Sequence, residues 1–169
     1  ASVAPKVAFM GRMLGREEDA AALAARLEAE MREVEAALAG VDQEPSVLFL
    51  ISIGRGAPMA SGTGTAADAM IRLARGCKVA IGFEGYKPLS AEAAIALQPD
   101  VVLLHDHAAQ AAGGPEAALQ EAGRSETPAG RTGRLVVMEG LKLLGFGPRT
   151  PEAVAELAAA LHPDPGAPQ

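Results

Sequence analysis

The chain has 169 residues, 49% of them hydrophobic, and a formal net charge of −6 at pH 7. That length supports one domain with a real core, and that hydrophobic fraction excludes a disordered chain. The acidic balance, with no basic run to offset it, excludes nucleic acid as a partner.

No stretch of about 18 apolar residues occurs, so no membrane insertion is expected. Ala1 to Met10 lacks the charged-then-apolar layout of a signal peptide. Val7 to Leu14 reads as a short helical piece broken near Gly15. Leu23, Leu27, Met31, Val34 and Leu38 then recur at three- and four-residue steps, predicting a helix of about 20 residues. Glu17, Glu18 and Asp19 favour its N-terminus, and Gly40 is a natural stop. Residues 1–44 therefore form a helical N-terminal segment.

After Pro45 the pattern changes. Val47 to Ile53 is a near-continuous apolar run, as in a strand buried on both faces. A Gly-rich loop leads to a helix from about Thr65 to Ala74. Further strands are expected at Val79 to Ile81, Val101 to Leu104 and Leu135 to Met138. The intervening helices begin at Ser90, a good N-cap, and at Pro115, while Thr150-Pro151-Glu152 opens the last one. The expected fold is α/β: one Rossmann-like lobe over 45–162, with a four-stranded parallel sheet covered by helices and preceded by the long helix. Residues 163–169 read as a frayed tail.

In such sheets ligands sit at the carboxyl ends of the strands. Gly54–Met59, Gly82–Pro88, His105–His107 and Glu139–Arg149 are the loops expected there. The stretch Gly54 to Thr65 lacks the spacing of a phosphate loop, and a tight turn into a helix is the simpler reading. Gly62, Gly64 and Thr65 would still offer backbone N–H groups to a carboxylate. His105 and His107 could form part of a metal site, but no third ligand is specified, and exposed loop residues are the simpler reading. Cys77 precedes an apolar run and reads as a small buried hydrophobe. Tyr86 is the one tyrosine of the chain. Its phenolate would be a hard donor suited to ferric haem, with Lys87 as a cation able to lower its pKa. On chemistry alone a packing or hydrogen-bonding role is the simpler reading. Ser52 and Ser61 lack a nucleophile-elbow context, and no catalytic constellation is present, so the chain is not read as an enzyme.

From Val47 onward the sequence resembles the haem-type substrate-binding proteins of bacterial ABC importers. The resemblance rests on Val47–Ser52, Ala57–Asp68 (with Gly62-Thr63-Gly64-Thr65-Ala66-Ala67-Asp68), Gly82–Ser90 (with Gly85-Tyr86-Lys87-Pro88-Leu89-Ser90), Pro99–Val102 and Leu143–Thr150. It implies two lobes joined by one long helix, with the N-terminal lobe missing here, a periplasmic location, and haem as cargo. It implies Tyr86 as an iron ligand, with Lys87, Arg55, Met59, Gly62 and Thr63 around the haem and Arg55 facing a propionate. Glu92 is similar to the acidic residue by which such lobes dock on the ABC transporter permease. A lobe without its partner would expose apolar surface, so a homo-oligomer is expected. Other cargo in the same family (a siderophore, cobalamin or a metal ion) is the alternative, as is a lobe that has lost cargo binding and acts by self-association.

Overall fold

The computed structural model describes residues 3–53, 57–122 and 126–163. The chain opens with helix α1 (Val3–Leu14) and the long helix α2 (Glu17–Ala37), with the turn at Gly15 between them. They cross closely at Gly11, where an added Cβ would lie 2.3 Å from the Ala20 Cβ. The apolar stripe of α2 faces inward as expected: Leu27 is buried, and Met31, Val34 and Leu38 pack against the core.

Strand β1 (Ser46–Ser52) and the short strand β2 (Met59–Ser61) follow. Next come α3 (Ala66–Leu73), β3 (Cys77–Lys78), β4 (Tyr86–Pro88) and α4 (Ala91–Ala96). The second half runs β5 (Val101–His105), α5 (Asp106–Ala111), α6 (Pro115–Glu121), α7 (Pro128–Thr132), β6 (Leu135–Met138), α8 (Gly140–Leu144) and α9 (Thr150–Leu161).

The parallel heart of the sheet is the expected one, with β1 between β3 and β5, and β6 beyond β5. Alternation along β1 and β5 divides the core between two faces. Val47, Phe49, Val101 and Leu103 meet α3 and α9, whereas Leu48, Leu50, Val102 and Leu104 meet α4, α5 and α6. Each such side chain contributes about 1.5–3 kcal/mol on burial. The near-continuous apolar runs are thus the signature of two covered faces.

The structure adds two strands and moves one. Met59–Ser61 and Tyr86–Pro88, expected as loops, pair antiparallel and extend the sheet in the order β4-β2-β1-β5-β6. Strand β3 covers Cys77–Lys78 rather than Val79 to Ile81, because it pairs only with Ser46 and Val47 and β2 occupies the same edge of β1 from Leu50 onward. The chain therefore leaves the sheet after Lys78, and Ile81 is exposed. Cys77 is exposed on this short edge strand and is not the buried hydrophobe expected. Helices α5, α7 and α8 also lie in stretches read as loops; each is five or six residues long, too short to show a period.

A buried charge pair ties α3 to the sheet. Asp68 and Lys78 are both buried, with Lys78 Nζ 3.4 Å from Asp68 Oδ1. The other carboxylate oxygen accepts from the Gly64 amide at 3.0 Å and from Arg72. Burial alone would raise the Asp68 pKa, but the Arg72 hydrogen bond, the Gly64 amide and the Lys78 charge together hold it below the usual carboxylate range. Burial lowers the Lys78 pKa against the opposing pull of Asp68. Removing the carboxylate strands a buried ammonium, so Asp68→Ala is expected to cost about 3–5 kcal/mol in urea unfolding. Since the folded state depresses the Asp68 pKa, its contribution is full above the unfolded carboxylate pKa. Stability measured against pH should fall as acid protonates this group.

Candidate functional site

Tyr86 opens an edge strand of the sheet instead of closing a parallel one. Its register partner across β2 is Ser61, and Lys87 faces Ala60. Directly paired residues share a face, and successive residues alternate, so Tyr86 lies with Ser61 and Met59 on one face and Lys87 on the other. Lys87 is placed with its ammonium 5.6 Å from the centre of the Phe83 ring. The expected lowering of the phenol pKa by Lys87 is therefore not found. Burial pushes the Tyr86 phenol above its ordinary value, and a hydrogen bond from the Thr65 side chain draws it partly back. The side chain is still 39% exposed and open to a ligand.

Beyond the β2–β4 ladder the Gly-rich stretch stays bonded to the chain that precedes β4, with Thr63 and Glu84 forming an isolated parallel bridge. The Gly62 amide donates to the Gly85 carbonyl at 2.6 Å, and the Thr63 amide to the Phe83 carbonyl at 2.8 Å. Gly85 N–H returns a bond to the Thr63 carbonyl at 3.0 Å. An added Cβ on Gly62 would stand 2.2 Å from the Phe83 oxygen, so no side chain fits there. These amides are consumed within the chain, contrary to the free donors expected of Gly62. Gly64 is likewise engaged, by the Asp68 carboxylate. Thr65 caps α3, its hydroxyl accepting from the Asp68 amide at 3.1 Å. An anion at this helix start is already provided by Asp68.

His105 is neither a loose loop residue nor a metal ligand in waiting. Its Nδ1 accepts from the Ala108 amide at 3.2 Å, capping α5, and its Nε2 lies 2.8 Å from the Ile51 carbonyl. Those two bonds require the tautomer with hydrogen on Nε2 and occupy both ring nitrogens. His107 is exposed, and among the described residues no group of three potential ligands could hold a metal ion. Asp106 ties the loops after β5 and β6 together, accepting from the His107 amide at 2.9 Å and the Gly140 amide at 3.2 Å.

At the carboxyl ends of the strands, Ile81 and Leu141 project apolar side chains, 68% and 71% exposed. Glu92 is exposed in the first turn of α4, its carboxyl held below the usual range by its own backbone amide and the Ser90 hydroxyl. Arg55 lies outside the described residues. Ser61, Ile81 and Leu141 were not singled out as site residues by the sequence pattern, and Thr65 only for its backbone amide. The Thr65-x-x-Asp68 spacing of a capping box is the one signal that pointed to the Thr65 side chain. A groove of about 800 Å³ lies away from this face, between α2 and α9.

The profile of the periplasmic binding protein family matches residues 2–140, and the chain belongs to that family. Its fold matches the apo form of the periplasmic haem-binding protein RhuT from Roseiflexus sp. RS-1 with a TM-score of 0.89 and 37% identity, over 94% of this chain and 61% of that one. It matches the periplasmic haem-binding protein BhuT, solved with two haems, with a TM-score of 0.89 and 40% identity over 94% and 61%. A periplasmic haem-binding protein from Pseudomonas aeruginosa matches with a TM-score of 0.82 and 31% identity over 96% and 60%. The chain thus spans about three-fifths of these relatives' length. No curated protein matches the sequence. The family is one of substrate-binding proteins, in agreement with the reading of the chain as a binding component and not an enzyme. Among the described residues, no helix is long and apolar enough to cross a membrane.

Two outcomes test this geometry. With one tyrosine and no tryptophan in the chain, tyrosinate absorbance reads Tyr86 alone. Its titration should lie above the ordinary tyrosine value, as burial requires. Gly62→Ala should destabilise the protein by roughly 1–3 kcal/mol in thermal melts, because the added methyl meets backbone that cannot yield cheaply.

Proposed function

We propose that the chain is the C-terminal lobe, with its connecting helix, of an extracytoplasmic haem-binding protein that delivers ferric haem to an ABC permease. The observation that carries this reading is Tyr86, a partly exposed phenol on the sheet edge of a fold whose relatives at 37% and 40% identity are named as haem-binding proteins. In the free protein burial pushes the phenol above its ordinary value. Ferric iron supplies the charge that displaces its proton, since a bound cation inverts the local pKa balance. Met59 shares the Tyr86 face and lines the haem beside it. Gly62 and Thr63 shape the backbone beneath the ligand without giving up their amides. Lys87, on the opposite face, adds positive charge near the site, and Arg55 meets a propionate by resemblance alone. Glu92, exposed with a stabilised carboxylate, is the residue for permease docking.

A second proposal rests on helix α1. Phe9, Met10, Met13 and Leu14 are each more than half exposed, an apolar surface of the kind that self-associates. The isolated chain is therefore expected to form a homo-oligomer, and a clean monomer in light scattering would remove that proposal.

Hemin titration followed by absorbance tests the main reading. A saturable Soret shift is expected, weakened by more than roughly tenfold in Tyr86→Phe, a loss at least as large as that of an outer-shell partner. Absence of a saturable shift would overturn haem as cargo. Binding of a ferric siderophore or cobalamin in its place would keep the family and change the ligand.

A further inference from the structure

We propose that the exposed face of α1 docks into the groove between α2 and α9 of a second copy of this chain, making a head-to-tail contact. The inference rests on the reading of α1 as a self-association surface and names the surface that receives it.

Helix α1 carries a basic, apolar ridge. Lys6, Phe9, Met10 and Met13 recur at steps of three and four residues and so line one side of the helix. Phe9 and Met13 are 53% and 68% exposed. Lys6 and Arg12 are the charged residues of α1, which holds no carboxylate. The Arg12 guanidinium stands 6.0 Å from the centre of the Phe9 ring, so charge and apolar surface occupy the same ridge.

The groove is its complement. Val34 and Leu38 from the end of α2 and Ala155 from α9 supply apolar lining, and Glu30, Glu33 and Glu152 supply carboxylates. Among the described residues, no lysine or arginine lines it. Arg26 and Lys142 offset Glu30 and Glu152 from outside the groove, at 3.5 Å and 2.6 Å, and an acidic excess remains. Its volume of about 800 Å³ lies in the range of clefts that hold small organic ligands, so it has room for the Phe9 and Met13 side chains. An apolar helix face laid in a groove, with cations meeting carboxylates, is a recurring mode of recognition.

A chain cannot fill its own groove this way. Helix α1 is held at Gly11 against Ala20, whereas the groove begins at Glu30, about 15 Å further along α2. Phe9 and Met13 are the exposed side of α1 and face away from α2. The contact therefore joins two different patches on two copies, and each chain can give its ridge to one neighbour and its groove to another.

Sedimentation and light scattering on single and mixed variants test this. Phe9→Glu with Met13→Glu removes the ridge, and Glu30→Lys with Glu33→Lys inverts the groove. All four positions lie on the surface, and Ala155→Arg serves as the groove variant if the lysine pair does not fold. Each variant alone should associate more than roughly tenfold more weakly than the parent chain, the effect of losing one hot spot. An equimolar mixture of a ridge variant and a groove variant should form a one-to-one complex that grows no further, because one intact ridge then meets one intact groove. Parent-like association of the groove variants would mean that α1 meets α1, which overturns this inference and keeps self-association. Parent-like association of the ridge variant, or a mixture that stays monomeric, would also overturn it. A parent chain that is monomeric at every concentration would remove the self-association reading and this inference together.

Discussion

Strand β1 is covered on both faces and bonded along both edges, and the placement of the site follows from how those edges are shared. One edge belongs to β5 throughout, through Val47 to Leu50. The other is divided: β3 holds Ser46 and Val47, and β2 takes over from Leu50 to Ser52. A strand edge can satisfy only one ladder at a time. The chain after Lys78 is therefore expelled from the sheet and returns as β4 on the far side of β2. That detour puts Tyr86 opposite Ser61 on an outer strand, where its side chain stays partly exposed.

Beneath this edge, Asp68 serves several groups at once. Its carboxylate holds the Gly64 amide, Arg72 and the buried Lys78, while its own amide is capped by Thr65. Burying a pair of charges gains little net stability, so such a pair is better explained by the geometry it imposes. Here it fixes α3 against β3 and, through Gly64 and Thr65, fixes the Gly-rich turn that pairs with Phe83 and Gly85. The polar groups beside the candidate site thus form one connected set.

Two apolar surfaces are left open around this frame. Ile81 and Leu141 project from the carboxyl ends of the strands, and Phe9, Met13 and their neighbours from α1. The chain spans about three-fifths of its solved relatives' length. The first surface fits the cargo side of the proposal and the second its self-association side.

Much of the fold was legible in the residues. The period-free apolar runs at Val47–Leu50 and Val101–Leu104 announced strands buried on both faces. Leu27 and Met31 marked the inner stripe of α2, and Ser90 and Thr65 marked helix starts. The resemblance carried by Gly85-Tyr86-Lys87-Pro88 agreed with the family found. What local sequence could not reveal was anything decided by pairing between distant segments. Two- and three-residue strands have no period to read, so β2 and β3 exist only because β1 offers them an edge, and β4 because β2 does. The exposure of Cys77, the separation of Lys87 from Tyr86 onto opposite faces, and the use of the Gly62 and Thr63 amides all follow from that pairing. Residue types and helical periods determined the layers and the core. Tertiary structure alone decided which neighbours the phenol of Tyr86 has, because those neighbours are brought together by a ladder that joins Ser61 to Tyr86, 25 positions apart in the chain.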